Sequence, residues 1–509
     1  MAHWNGWGFT ELRARIDLRP TKSFMVFSSH IFVFYFLPLA LLLYYAVPRR
    51  GQLLLLIVLS YLFYGWANPL FVVLMFASTL TDYLSGLIIS GQWPSLRSDD
   101  SVGLEPGGPR SRVQKAALVT TIVLNLLLLG FFKYFNFGIE SYNGLVRSLG
   151  YEQAAWDHFL RITLPLGISF YTFHAMSYAI DVYRGDARAI RNYIDYACYV
   201  AMFPQLVAGP IIRFQDVANQ LAHRTHSAEK FARGVAFFSF GMAKKVLLAN
   251  PCGKVADTVF NAGPVGTADA WTGIVGYAFQ IYFDFSAYSD MAIGLALMLG
   301  FVFAKNFDSP YLAESITDFW RRWHISLSTW LRDYLYLPLG GNRKGPARTY
   351  VNLATVMVLG GLWHGAAWNF VIWGAIHGAM LAFERTQGKD SIYHRLPRPA
   401  KIVLTFVIVC FAWVFFRAET LPQALAYCGS LLGWTQPPLQ SGLIAGIIYQ
   451  PYYLGVLLMA AIVTWSCPQT WDFTRRITVP RAALAMGLLW LSLLILTSQE
   501  FNPFIYFLF

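Results

Sequence analysis

The stretch Thr349–Phe383, TYVNLATVMVLGGLWHGAAWNFVIWGAIHGAMLAF, holds 35 residues without one Asp, Glu, Lys or Arg. A helix crossing the hydrocarbon core needs about 20 mostly apolar residues, so this run is long enough for more than one pass. Backbone groups in lipid must bond within their own segment, which makes the run helical. The same signature recurs along the chain. Ile31–Val47 and Gly51–Thr81 carry no charge, and neither do Ala116–Phe132, Ile162–Ile180, Tyr196–Ile212, Ile402–Phe416, Thr420–Trp471 and Ala482–Gln499. These runs predict an all-α polytopic membrane protein of about 11 crossings, with short or re-entrant helices blurring the count. Composition agrees: 56% of residues are hydrophobic and 13% charged, against roughly 25% charged in a soluble domain.

The net charge of +12 gathers at segment ends, at Arg49 and Arg50, Arg110, Arg112 and Lys115, Arg343, Lys344 and Arg348, Arg385 and Lys389, and Arg475 and Arg476. That is the pattern of cytoplasmic loops under the positive-inside rule. No soluble basic module exists to bind nucleic acid. The five cysteines, Cys198, Cys252, Cys410, Cys428 and Cys467, lack metal-ligand spacing and read as small hydrophobes. Met1–Phe24 has no apolar core of the signal-peptide kind. Residues 1–24 therefore read either as an extension from a mis-called start, with Met25 the true one, or as a short amphipathic cytoplasmic tail. Residues 25–509 form one membrane domain. Polar interruptions at Gly91–Lys115 and Glu384–Lys401 suit loops outside the membrane.

Between about residues 164 and 384 the apolar runs are broken by Gly, Pro and ionisable residues. Such segments survive at membrane depth only when packed in protein or lining a wet cavity, so this part is the expected catalytic core. Its strongest signal is His364 among Trp363, Trp368 and small residues. An ionisable residue inside a membrane segment is a functional candidate by default. Neutral imidazole in apolar surroundings is the form a general base requires. The alternative is a histidine that ties two helices together.

The second signal is DFWRRWHISLSTWLRDYLYLPLGGNRKG (Asp318–Gly345). On one continuous helix, Trp320, Trp323 and His324 share a side, and a tight turn follows at Gly340, Gly341 and Asn342. His324 is expected to face a reaction centre. Arg321, Arg322 and Lys344 are candidates for holding the phosphates of a cytosolic donor. The competing reading is Trp and Arg anchoring at the membrane surface. Asp284 and Asp290 are expected to be structural, paired or capping a broken helix. His174 and His377 read as satisfied interior residues, and Arg213 as facing a lumen or an interface. No phosphate loop, H-E-x-x-H motif or G-x-S-x-G elbow is present.

Six stretches in this order resemble the membrane-bound O-acyltransferase (MBOAT) family: MVFSSHIFVF (Met25–Phe34), LPLGISFYTFHAMSYAIDVYRG (Leu164–Gly185), FPQLVAGPIIRF (Phe203–Phe214), YFDFSAYSDMAIG (Tyr282–Gly294), FWRRWHISLSTWLRDYLYLPLGG (Phe319–Gly341) and GGLWHGAAWNF (Gly360–Phe370). The resemblance implies a ring of helices around a central funnel, with re-entrant or interfacial helices at its floor. It implies that His364 is the catalytic histidine and His324 the second active-site histidine. It also implies transfer of an acetyl group from a cytosolic thioester, acetyl-CoA, at the inner membrane. The acceptor is then an exported polysaccharide such as alginate, reached through an extracytoplasmic acetyltransferase partner.

On that reading His364 withdraws the acceptor's hydroxyl proton, while His324 positions or polarises the donor carbonyl. Asn369 or a backbone amide freed by the glycines is the candidate oxyanion donor. Ser326 is a conceivable but unsupported acyl carrier. The rival class is a polytopic transporter, or a flippase of a polysaccharide precursor. No internal half-to-half repeat supports it.

Overall fold

The computed structural model describes residues 25–92, 103–388, 395–435 and 443–499, together with Asn502, Phe504 and Ile505. Residues 1–24, and with them the choice of start, lie outside the described residues, as do Lys389 and parts of both polar loops. Every regular element among the described residues is a helix. Four stretches are long and apolar enough to cross a membrane: Pro69–Ile89, Arg112–Ser148, Arg398–Arg417 and Val479–Ser498. Three shorter apolar stretches accompany them, Ile31–Ala46, Gln52–Gly65 and Pro451–Ser466. The described helices thus include four clear spans, and long charge-free runs are cut into shorter pieces.

The elements that build the site are α1 (Pro69–Ile89), α2 (Arg112–Leu129), α3 (Phe135–Ser148), α4 (Ile168–Arg184), α5 (Thr267–Met298), α6 (Ile316–Arg322), α7 (Ile325–Leu331), α8 (Pro346–His364), α9 (Trp368–Gln387) and α10 (Arg398–Arg417). A wide π-type turn, Gly130–Tyr134, joins α2 to α3. Helix α5 is the axis of the molecule. It has 32 residues, and from Gly273 all are buried but Val275. Two apolar clusters share it. Its first half packs with Phe307–Trp323, α9 and α10. Its second half packs with α4, Phe27–Tyr64 and Leu327–Trp363.

A helix buried on all sides has to neutralise its own charges. Asp284 meets Lys245 at 2.8 Å and Asp290 meets Lys244 at 2.7 Å. The expected structural role of the two aspartates holds through pairing. No helix break is involved, because α5 runs through both.

Candidate active site

His324 does not sit on a continuous helix. The segment breaks into α6 and α7, and His324 lies between them in the left-handed region, at φ 44° and ψ 54°. Only one other described non-glycine residue, Ser309, has a positive φ. Such backbone strain is held in place by its surroundings and concentrates at functional sites. Here the surroundings are residues 306–308: Ile325 N donates to Asn306 O (2.9 Å) and Asp308 N to Arg322 O (2.9 Å). The break turns Trp323, 2% exposed, inward. The expected aromatic face at the membrane surface is therefore not formed by Trp323.

The Asn306 side chain defines the state of the His324 ring. Its Oδ1 accepts from the backbone N–H of Ser326 (3.2 Å) and from Ser326 Oγ (2.9 Å), while Nδ2 donates to Ser289 Oγ (2.8 Å). The same oxygen lies 3.2 Å from His324 Nδ1. An oxygen acceptor there puts the imidazole proton on Nδ1. Nε2 is left with a lone pair, buried and without a partner.

His364 is the last residue of α8. Gly365 is extended, and three residues later α9 begins and returns antiparallel. The Thr349–Phe383 run thus makes two helices, with His364 at their junction. The hairpin is tight because a Cβ on Gly361 would lie 2.1 Å from Phe370 O, and one on Gly374 2.3 Å from Met357 O. Neither position admits a side chain without moving backbone.

These two local structures bring the histidines together, with ring centroids 6.3 Å apart. Trp363, Trp373 and Phe416 surround His364 at 5.1–5.3 Å, and Phe285 stands edge-on to His324 at 4.6 Å. The packing is not solid. A small cavity is bounded by His364, Phe285, Trp323, Trp373, Trp413 and Phe416, with Ile505 from the C-terminal segment. His364 reaches it and is 9% exposed, whereas His324 is 0% exposed. The indole N–H groups of Trp363 and Trp373 are buried with no acceptor. The Trp413 N–H, by contrast, is used by Tyr311 Oη at 3.1 Å. Buried polar atoms are normally paired; around His364 the N–H groups of Trp363 and Trp373 and Nε2 of His324 are not.

Other expected residues fall elsewhere. Asn369, a candidate oxyanion donor, gives one Nδ2–H to Ala418 O at 2.6 Å and does not border the cavity. Ser326 Oγ is engaged by Asn306 and by Ile211 N. Arg322 pairs with Asp318 at 2.9 Å, while Arg321 and Lys344 are exposed. The turn at Gly340–Asn342 forms as expected, with Gly340 and Gly341 at positive φ. Arg213 bridges Asp216 and Asp333. His174 is an interior residue held on the backbone, and His377 is only half satisfied. His174 Nε2 accepts from Ile212 N and the ring also meets the Val200 backbone, whereas His377 Nδ1 accepts from the Trp320 indole and its Nε2 has no partner.

Two residues of the site escaped the sequence reading. Asn306 gives no motif signal. Lys133, which touches the end of α8, is the one charged residue between Lys115 and Glu140, and that isolation is the signal that would have found it.

Comparison with known proteins fits this geometry. The family model for MBOAT, the membrane-bound O-acyltransferase family, matches residues 186–418, which include both histidines. The probable alginate O-acetylase AlgI of Azotobacter vinelandii is 42% identical over 95% of this chain and the whole of that protein. Its counterpart from Pseudomonas aeruginosa is 49% identical over 79% of this chain and 73% of its own length. A peptidoglycan O-acetyltransferase of Helicobacter pylori is 33% identical over 80% of each chain. With such identity along almost the full length, the chain belongs to the membrane-bound O-acyltransferase family and is an acyltransferase.

Proposed function

We propose that the protein moves an acetyl group from a cytosolic thioester, acetyl-CoA, across the bacterial inner membrane for O-acetylation of an exported polysaccharide, alginate or a similar exopolysaccharide. An extracytoplasmic acetyltransferase protein is the partner that receives or delivers the group. The observation that carries this reading is the meeting of His324 and His364 beside an aromatic cavity, in a chain whose relatives bear O-acetylase names.

In this reading the acceptor hydroxyl oxygen attacks the thioester carbonyl carbon, and His364 takes the hydroxyl proton. The C–S bond then breaks and the thiolate leaves, taking the proton back from His364. Atoms and charges balance without a lasting acyl-enzyme. His324 in the tautomer set by Asn306 has no proton on Nε2, so it does not polarise the carbonyl. It acts as a hydrogen-bond acceptor that orients groups beside His364. The donor for the developing oxyanion comes from the orphan indole N–H of Trp373, which borders the cavity. Arg321 and Lys344, both exposed, are positions for donor phosphates; Arg322 is occupied by Asp318.

The finer architecture, about 11 crossings around a central funnel, belongs to the same proposal. Helices α6 and α7 have seven residues each. At about 10 Å long they cannot cross a bilayer and suit the re-entrant or interfacial role.

The test replaces His364 with Ala in a host lacking its own copy. Membrane insertion and the acetyl ester content of the exported polymer are measured. The expected outcome is normal insertion with acetylation lowered by about 10³-fold in rate. Unchanged acetylation at normal insertion overturns the reading.

A further inference from the structure

The C-terminal end of α8 lacks the usual local cap. The last carbonyls of a helix have no partner within it and need one from outside. Gly365 is not in the left-handed conformation that commonly supplies this; its φ is −156°. The partners come instead from the wide turn between α2 and α3. Lys133 Nζ donates to Trp363 O, to His364 O at 3.3 Å and to Ser169 Oγ at 3.3 Å. Tyr134 Oη donates to Leu362 O at 2.8 Å. Two consecutive residues of one element thus cap three consecutive carbonyls of another. The π-type turn Gly130–Tyr134 is the local widening that lets them do so, and such turns recur at functional sites.

The choice of lysine is expensive. Among the described residues the Lys133 ammonium meets the carbonyl end of α8, Ser169 and the face of Trp363 at 5.8 Å, with no carboxylate among these contacts. A cation favours the negative end of a helix dipole, but an apolar residue would cost less in an apolar helix. What lysine adds is a fixed point on the backbone of His364 itself. We propose that Lys133 is a positioning residue for acyl transfer, holding the last turn of α8 so that the His364 imidazole stays aimed into the cavity. It does not touch the reacting atoms. The inference rests on His364 being the base.

The experiment uses the full chain purified into lipid nanodiscs, with acceptor-dependent thiol release from acetyl-CoA as the readout. Variants are Lys133→Met, Lys133→Arg, Tyr134→Phe, His364→Ala and the double variant Lys133→Met/His364→Ala. Lys133→Met is expected to lower kcat by about 100-fold with KM for acetyl-CoA little changed, because a misplaced base costs rate and not ground-state binding. Lys133→Arg should restore most of the rate, and Tyr134→Phe should lose only a few-fold. In the double variant Lys133→Met should add nothing to the loss from His364→Ala, since both act through one group.

The proposal is overturned if Lys133→Met raises KM at unchanged kcat, or if its losses multiply with those of His364→Ala. It also falls if Lys133→Met reduces activity only in proportion to folded protein. Should Lys133→Met not insert, Lys133→Arg and Tyr134→Phe decide: full rate in Tyr134→Phe with none in Lys133→Arg counts against the clamp. A fully active His364→Ala would instead remove the underlying base assignment, a separate outcome.

Discussion

Two cavities flank helix α5, and they are built on opposite principles. The one against His364 has aromatic walls. The other is bordered by Lys244, Ser286, Ser289, Asp290, Lys305 and Asn306. In the polar cavity every charge is answered: Lys244 by Asp290, and Lys305 by Asp308 and Asp472. At the aromatic cavity the N–H of Trp373 is buried without a partner, and so is Nε2 of His324 beside His364. Unmade hydrogen bonds in a dry place cost stability, whereas satisfied ones fix structure. The polar cavity therefore reads as scaffold and the aromatic one as the working space. Asn306 joins them, with Nδ2 on Ser289 and Oδ1 on His324.

Replacement experiments can break this contrast. Among the cavity walls around the base, the largest effect expected is from Trp373→Phe, which keeps an aromatic ring but removes the pyrrole part of the indole and with it the N–H. Loss of one oxyanion donor predicts a fall in kcat of about 100-fold with little change in KM. An unchanged kcat would show that the orphan indole is not used. Next is Asn306→Ala, which releases the His324 tautomer. Loss of an orienting partner predicts about a 10-fold fall in rate, read in the same thiol-release assay, with the histidine rings still in place.

The smallest rate effect belongs to the polar cavity. Asp290→Asn breaks the pair with Lys244 and should destabilise the fold by about 3 kcal/mol, seen as a lower unfolding temperature. The rate per folded molecule should stay within about 2-fold, as expected away from the reacting groups. A large rate loss at normal folding would make the polar cavity part of the chemistry and erase the distinction.

The sequence made part of this legible. Charge-free runs predicted an all-helical chain, and isolation in apolar surroundings picked out His364. The W-x-x-W-H segment offered His324, whose ring lies 6.3 Å from that of His364, behind the cavity that His364 borders. The break at His324 was not legible, because Ile316–Leu331 carries a helical pattern throughout. Only the backbone of residues 306–308, distant in periodicity, satisfies the broken turn. Asn369 looked free beside the glycines, but tertiary packing delivers the Ala418 carbonyl to it. Trp373 reads as a hydrophobe until its neighbours are known, and its unused N–H is visible only in three dimensions. Lys133 reads as the end of an apolar run, and its target lies 230 residues away.

The central claim is that His364 is the base for acyl transfer in the aromatic cavity. Its most direct test is the acceptor-dependent release of free thiol from acetyl-CoA by wild type and His364→Ala, at equal amounts of folded protein in nanodiscs. The account predicts a loss of about 10³-fold in kcat for the variant. A variant that turns over at the wild-type rate would contradict it.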